Sequence, residues 1–340
     1  MGNKSINANI QQAVVYLRAG KLVAFPTETV YGLGADAQNV IAINKVFTVK
    51  GRPSNHPLIV HISNIAELDQ WAINIPNEAY ILAQHFWPGP CTLILQKHHN
   101  VAPEVTGYQP TIALRIPRHP IALELLRQFG SGIVGPSANT YGHISPTTAE
   151  HVIHDFNHHI DYILDGGHCE LGIESSIFCF SDNKPSMLRQ GSITLTDVSR
   201  ILGYPIFYKS LTNSSRIPGS LSSHYAPKCP LYLVNKLDFL PLIQSLINKV
   251  ETYSVLSFSP PPFNFNNLHW IQAPSDPKQY AKLLYGVLRK LDLPQSHVIL
   301  VEDVPKHTGW LAIADRLQRA SHGNLNMNML DKGQQYKKHT

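Results

Sequence analysis

The chain has no C-x-x-C spacing: Cys91, Cys169, Cys179 and Cys229 are its only cysteines and are widely scattered. That pattern speaks against a zinc knuckle or a redox pair and for reduced, structural thiols. No apolar run reaches the ~18 residues that a membrane span needs. The opening MGNKSINANIQQ lacks the apolar stretch of a signal peptide, so a cytoplasmic protein is expected. Charge is sparse as well, at 15% of residues with a net +5. Such an excess suits an anionic partner but falls short of the dense cationic footprint of a dedicated nucleic-acid binder. Walker A and G-x-S-x-G motifs are both absent, which removes support for P-loop and serine-hydrolase chemistry.

What is present is enough apolar residue, 43% of 340, to bury more than one core. The pattern is α/β. Short apolar strands such as KLVAF, PLIVHI, CTLILQ, TIALRIP, GIVGPSA, DYILD and SSIFCF interleave with helical periodicity near residues 40–49, 77–85, 120–129 and 147–154. Several connections are too short for a crossover helix, so the sheet is expected to be mixed. Around residues 206–228 the texture turns to Ser, Gly and Pro, which is linker chemistry. Beyond it PLYLVN, YSVLSF and HVILVEDV resume the strand pattern, with helices near DPKQYAKLLYGVLRKLD and WLAIADRLQRAS. The expected organisation is a domain over 1–205, a linker or lid over 206–228, a smaller α/β domain over 229–325 and a frayed tail over 326–340.

Four cations punctuate this pattern. KGRPSNHP follows Val49; if it is extended, Lys50 and Arg52 point the same way. Arg115 sits within the apolar ALRIP, where a guanidinium is costly unless it meets an anion. Arg189 stands beside a glycine in MLRQGSI, and GPSANTYGHISPTT offers hydroxyls and an amide on a glycine-hinged backbone. Together these features suggest a pocket for a polyanion, with ATP the first candidate. The glycines of YGLGADA lie too far from the preceding strand for a dinucleotide fingerprint and read as loop-shaping. His151, His154 and His158 would share one face of a helix, but without a thiolate nearby that face reads as solvated, and no metal ligands are assigned. Phe86 and Trp87 read as core.

FPTETVYGLGADA, KGRPSNHPLIVHI, FWPGPCTLIL, ALRIPRHP, PSANTYGHISPTTAEHV and GIESSI, in that order, resemble the YrdC-type domain of the threonylcarbamoyl-AMP synthase family. HYAPKCPL and GWLAIADRLQRA resemble the long, two-domain form, so the likeness spans roughly residues 7–321. The resemblance implies a twisted mixed α/β sheet linked to a smaller Rossmann-like α/β domain. It also implies an enzyme that joins L-threonine, bicarbonate or CO2, and ATP into threonylcarbamoyl-AMP with release of pyrophosphate. Mg2+ would bridge phosphate oxygens. The product would serve the t6A modification of ANN-decoding tRNAs, with tRNA or the proteins of a transferase complex as further partners and no membrane. By position, Lys50 and Arg52 fall on the catalytic pair at the ATP phosphates. His56, where the family usually has asparagine, Thr111, Ser137, Asn139, Ser145 and Arg189 fall near the nucleotide. Thr29, His61, Arg115 and Ser175 fall near threonine, and Tyr31 lies against substrate or in the core. His224 with Tyr225 would reach over the site as a lid. Two rival readings stay open: a non-catalytic double-stranded RNA-binding module, and a carbamoyl-adenylate-forming maturation factor, whose additional zinc-finger and acylphosphatase-like segments have no counterpart in the sequence.

Overall fold

The structure, a computed structural model, describes residues 3–181, 184–209, 224–246, 249–262 and 266–325. Residues 210–223 of the expected linker and the expected tail lie outside the described residues. The chain forms two compact units, Met1–Tyr141 with Ser145–Ser220, and Gly142–Ile144 with Leu221–Thr340.

The first unit runs α1 (Asn3–Arg18), β1 (Val23–Phe25), β2 (Gly32–Asp36), α2 (Val40–Lys50), β3 (Ile59–His61), α3 (Leu68–Trp71), α4 (Asn77–Phe86), β4 (Cys91–Gln96), β5 (Thr111–Arg115), α5 (Pro120–Phe129), β6 (Ile133–Val134), α6 (Ala149–Phe156), β7 (Tyr162–Ile163), β8 (Ser176–Ser181), β9 (Lys184–Arg189) and α7 (Leu195–Leu202). Its sheet has the order β7-β1-β2-β6-β3-β5-β4-β8-β9. It is mixed: β1 with β7, β3 with β5 and β4 with β8 are parallel, the rest antiparallel. Strand alternation then sorts its two faces. One face, with Leu33, Val60, Leu93, Leu114 and Phe178, packs in a single core with Ile43 and Val46 of α2, Leu82 of α4, Val152 of α6 and Val198 of α7. On the other face α1 and α5 cover Val23, Phe25 and Ile133. The rest of that second face, from β3 to β9, carries His61 and its register partner Arg115, then Thr92, which is paired through Ile177 to Arg189.

Three sequence expectations are corrected here. Gly32 and Gly34 do not shape a loop; they lie inside β2, paired to β1. A Cβ on Gly32 would come within 2.9 Å of the Phe25 ring, and one on Gly34 within 2.8 Å of the Val23 carbonyl oxygen. Glycine is needed so that this ring can lie across the strand. Nor is KGRP an extended segment. Lys50 is the last residue of α2, Gly51 takes the left-handed conformation at φ 62°, and the Arg52 N–H reaches back to the Phe47 carbonyl at 2.9 Å. The pair of cations therefore flanks a glycine cap of the Schellman type. The three histidines also part company, because α6 ends at Phe156, before His158.

The second unit contains β10 (Leu231–Val234), α8 (Lys236–Leu246), β11 (Thr252–Ser257), β12 (Leu268–Gln272), α9 (Pro277–Leu291), β13 (Ser296–Glu302) and α10 (Leu311–Ala320). Its four described strands are all parallel in the order β10-β13-β11-β12, a Rossmann-like arrangement. Phe239, Leu242 and Ile243 of α8 pack on Val255 and Leu300 of that sheet. No described helix is long and apolar enough to cross a membrane.

Candidate active site

The glycine cap at the end of α2 delivers Lys50 into the protein rather than to solvent. Its Nζ donates to the Ser137 carbonyl at 2.6 Å and to the Asn139 carbonyl, so the lysine staples the SAN loop to the basic turn. An ammonium has three hydrogens, and no other partner of this one is found among the described residues. Burial pushes its pKa well below the ordinary value, Arg52 adds to the effect, and Asp155 opposes it. Arg52 donates from Nη2 to the Pro57 carbonyl at 2.8 Å, and its guanidinium lies 5.4 Å from the centre of the Tyr141 ring. The Tyr141 hydroxyl is in turn 3.1 Å from His56 Nδ1. His56 is thus tied, through the hydroxyl, to the ring that supports Arg52. Thr111 opens β5, where its register partner on β4 is Gln96.

Arg115, at the far end of β5, anchors a second cluster. It donates from Nε to the Gly89 carbonyl at 3.2 Å, from Nη1 to Thr29 Oγ1 at 2.9 Å and from Nη2 to Glu28 Oε1 at 2.6 Å. The anion that this buried guanidinium requires is therefore supplied by the chain. Since the group has five N–H donors, one on each terminal nitrogen remains uncommitted among the described residues. The donor order around Thr29 follows from Thr27: its hydroxyl gives its proton to the Val30 carbonyl at 2.6 Å, so the 2.8 Å contact between the two threonines is donated by Thr29.

His61 lies beside Arg115 and edge-on to Phe25, with ring centres 5.5 Å apart. It bonds the Ile133 carbonyl, while Nδ1 is buried without a partner among the described residues. By elimination Nε2 carries the proton and Nδ1 presents a lone pair. Burial first, then Arg115, holds its pKa down to about 3. The unfolded chain takes up that proton near 6.5, the folded protein only near 3, so stability is fully present above pH ~6.5 and falls as pH drops toward 3. By pH ~4.5 this one group should cost ~2.5 kcal/mol. Urea unfolding at pH ~7.5 and ~4.5 should show that loss in the wild type and its absence in His61→Gln; equal losses would refute the assignment.

Ser175 completes the row. Its hydroxyl contacts Thr92 Oγ1 at 2.8 Å and accepts from Arg189 Nη2 at 3.1 Å, and its carbonyl accepts from Arg189 Nε at 3.0 Å. Ser145, fully buried, donates to Glu174 Oε1 at 2.7 Å. Tyr31 is committed to the fold: its ring is in the core, and its hydroxyl donates toward Gly167 and accepts from the Gly166 N–H, at 2.9 and 3.0 Å. Of the core and substrate roles open to it, its contacts are those of the core. His224 belongs to the second unit, where it is buried with its ring edge-on to Tyr225. Among the described residues no group of three or more His, Cys, Asp or Glu is placed to hold a metal ion.

The contacts thus form one cluster around Lys50, Arg52, His56, Ser137 and Asn139, a second around Thr29, His61 and Arg115, and a third that joins Ser175 and Arg189 to Thr92. Sequence reasoning missed Glu28, Glu174, Thr92 and Tyr141. Glu28 had a usable signal, because a guanidinium in an apolar strand calls for a carboxylate and TET lies in the same quoted motif as Thr29.

Comparisons with known proteins identify the family of the chain. The Sua5_yciO_yrdC family model, described as telomere recombination, matches residues 15–191, and the model described as threonylcarbamoyl-AMP synthase, C-terminal domain, matches residues 193–322. The threonylcarbamoyl-AMP synthase of Pyrococcus abyssi is 37% identical over 320 residues, 92% of this chain and 94% of that protein. That of Bacillus subtilis is 38% identical over 326 residues, 93% and 94% of the two chains. The crystal structure of P. abyssi Sua5 complexed with L-threonine matches with a TM-score of 0.83 at 36% identity, over 92% of this chain and 94% of that one. With both family domains in sequence and whole-length relatives of one kind, the chain belongs to the threonylcarbamoyl-AMP synthase family in its two-domain form and is an enzyme of that kind.

Proposed function

We propose that the enzyme makes threonylcarbamoyl-AMP from L-threonine, bicarbonate or CO2, and ATP, releasing pyrophosphate, and that the product serves the t6A modification of tRNA. The observation that carries this reading is a buried guanidinium with two N–H groups uncommitted among the described residues, beside a neutral imidazole on one sheet face, in the same unit as a lysine–arginine cluster.

In this reading the two free N–H groups of Arg115 take the threonine carboxylate in parallel, and His61 Nδ1 accepts from its hydroxyl or ammonium. Thr29 and Ser175 line the same end. Lys50 and Arg52 meet the phosphates, with His56, Thr111, Ser137, Asn139, Ser145 and Arg189 toward the nucleotide. The amine, once deprotonated, attacks CO2 and gives a carbamate after losing a second proton. A carbamate oxygen then attacks the α-phosphorus and pyrophosphate leaves with the bonding pair. No protein nucleophile is needed: holding two anions together and offsetting charge at phosphorus is the protein's contribution. Mg2+, when bound, would neutralise phosphate charge through phosphate oxygens rather than a protein-built cage.

Pyrophosphate release with each substrate omitted in turn tests the reading. Release is expected only when L-threonine, bicarbonate and ATP are all present. Release independent of threonine would overturn it, and steeply salt-dependent binding of double-stranded RNA that ignores threonine would favour a binding module instead.

A further inference from the structure

We propose that Glu28 makes the amino-acid end of the site selective for a zwitterion over a plain carboxylate, by cancelling the charge of Arg115 before any substrate arrives. The proposal rests on the placement of the substrate carboxylate at Arg115 given above.

The two side chains are almost inaccessible, at 4% and 2% exposure, with Nη2 and Oε1 2.6 Å apart. Glu28 cannot swing away. Its Oε2 accepts from the Arg118 backbone N–H at 3.0 Å, and its own carbonyl accepts from the Leu171 N–H at 2.7 Å. The other groups in contact with Arg115 are Thr29 and the Gly89 carbonyl, both uncharged, and the neighbouring His61 is neutral at physiological pH. The guanidinium therefore sits in a locally neutral pocket. A ligand that brings a lone negative charge leaves that charge buried and uncompensated, which is costly. An amino acid brings its own ammonium and enters neutral. A carboxylate oxygen also has lone pairs beyond one hydrogen bond, so Glu28 keeps acceptor capacity for the ammonium.

Without Glu28, the same pocket carries a net positive charge and should welcome the plain anion. Specificity of this kind is a difference of two affinities, so it can be read without catalysis. Calorimetric titration of the full-length protein with L-threonine and with (R)-β-hydroxybutyrate, which is threonine without its amine, supplies that difference. The wild type should bind threonine at least ~100-fold more tightly. Glu28→Gln should narrow the ratio by about tenfold or more, and Glu28→Asp, which keeps the charge, should hold it near the wild-type value. Arg189, the next cation along this face, is common to all three proteins and cancels when their ratios are compared.

Equal weakening of both ligands in Glu28→Gln would show a merely structural carboxylate and overturn the proposal. So would wild-type protein that binds the two ligands alike, an outcome that needs no variant to fold. Wild-type protein that binds no threonine would sink the functional reading itself and the proposal with it, and is told apart by that result alone.

Discussion

Replacing Arg52 with alanine should lower threonine-dependent pyrophosphate release by at least about tenfold, and up to ~1,000-fold if the guanidinium acts mainly on the transition state. Arg52 is the cleaner of the two basic probes. It holds the Pro57 carbonyl and packs over Tyr141, on a turn whose backbone is already fixed by Gly51. Its loss should lower stability less than that of Lys50, since one carbonyl, that of Pro57, loses a buried donor rather than two. Lys50→Ala should be at least as inactive but also less stable, because the Ser137 and Asn139 carbonyls would lose a buried donor, and such losses cost ~1–3 kcal/mol each. Near-normal rates in both variants would remove the basic turn from the chemistry.

Arg115→Lys is the second large effect. A lysine keeps the charge but gives up the planar fork. It would have to satisfy Glu28 and Thr29 and still present paired donors to a carboxylate with only three hydrogens. Losing one charge-assisted bond of ~1.5–3 kcal/mol corresponds to roughly ten- to a hundredfold in affinity. The KM for threonine should therefore rise by that factor while the KM for ATP moves little. Equal rises in both would contradict a carboxylate clamp at this position.

Much of this was legible in the sequence, and the reasons are local. β4 and β5 and helices α2 and α5 announce themselves through apolar periodicity and flanking Pro or Gly, and fall where their patterns place them. β2 was hidden because its glycines mimic a loop; they are dictated by the Phe25 ring across the strand, a contact between strands that no local pattern encodes. The orientation of Lys50 and Arg52 was misread for a related reason. The sequence KGR is silent on whether its glycine extends a strand or caps a helix, and here it caps α2. Among the site residues the cations were visible because charge in an apolar setting needs an explanation. Their partners were not. Glu28 meets Arg115 across 87 residues of chain, Ser137 and Asn139 meet Lys50 through backbone carbonyls that any residue type would supply, and the Tyr141–His56 contact closes a gap of 85 residues.

The central claim is that one face of the first unit's sheet holds a threonine carbamate and ATP side by side and joins them. The most direct measurement is mass spectrometry of a reaction containing L-threonine, ATP and carbon-labelled bicarbonate. The account predicts a threonylcarbamoyl-adenylate that carries the label with wild-type protein and is lost with Arg52→Ala and Arg115→Lys at limiting threonine. Failure of the wild type to form that adduct, or an adduct formed equally well by both variants, would contradict it.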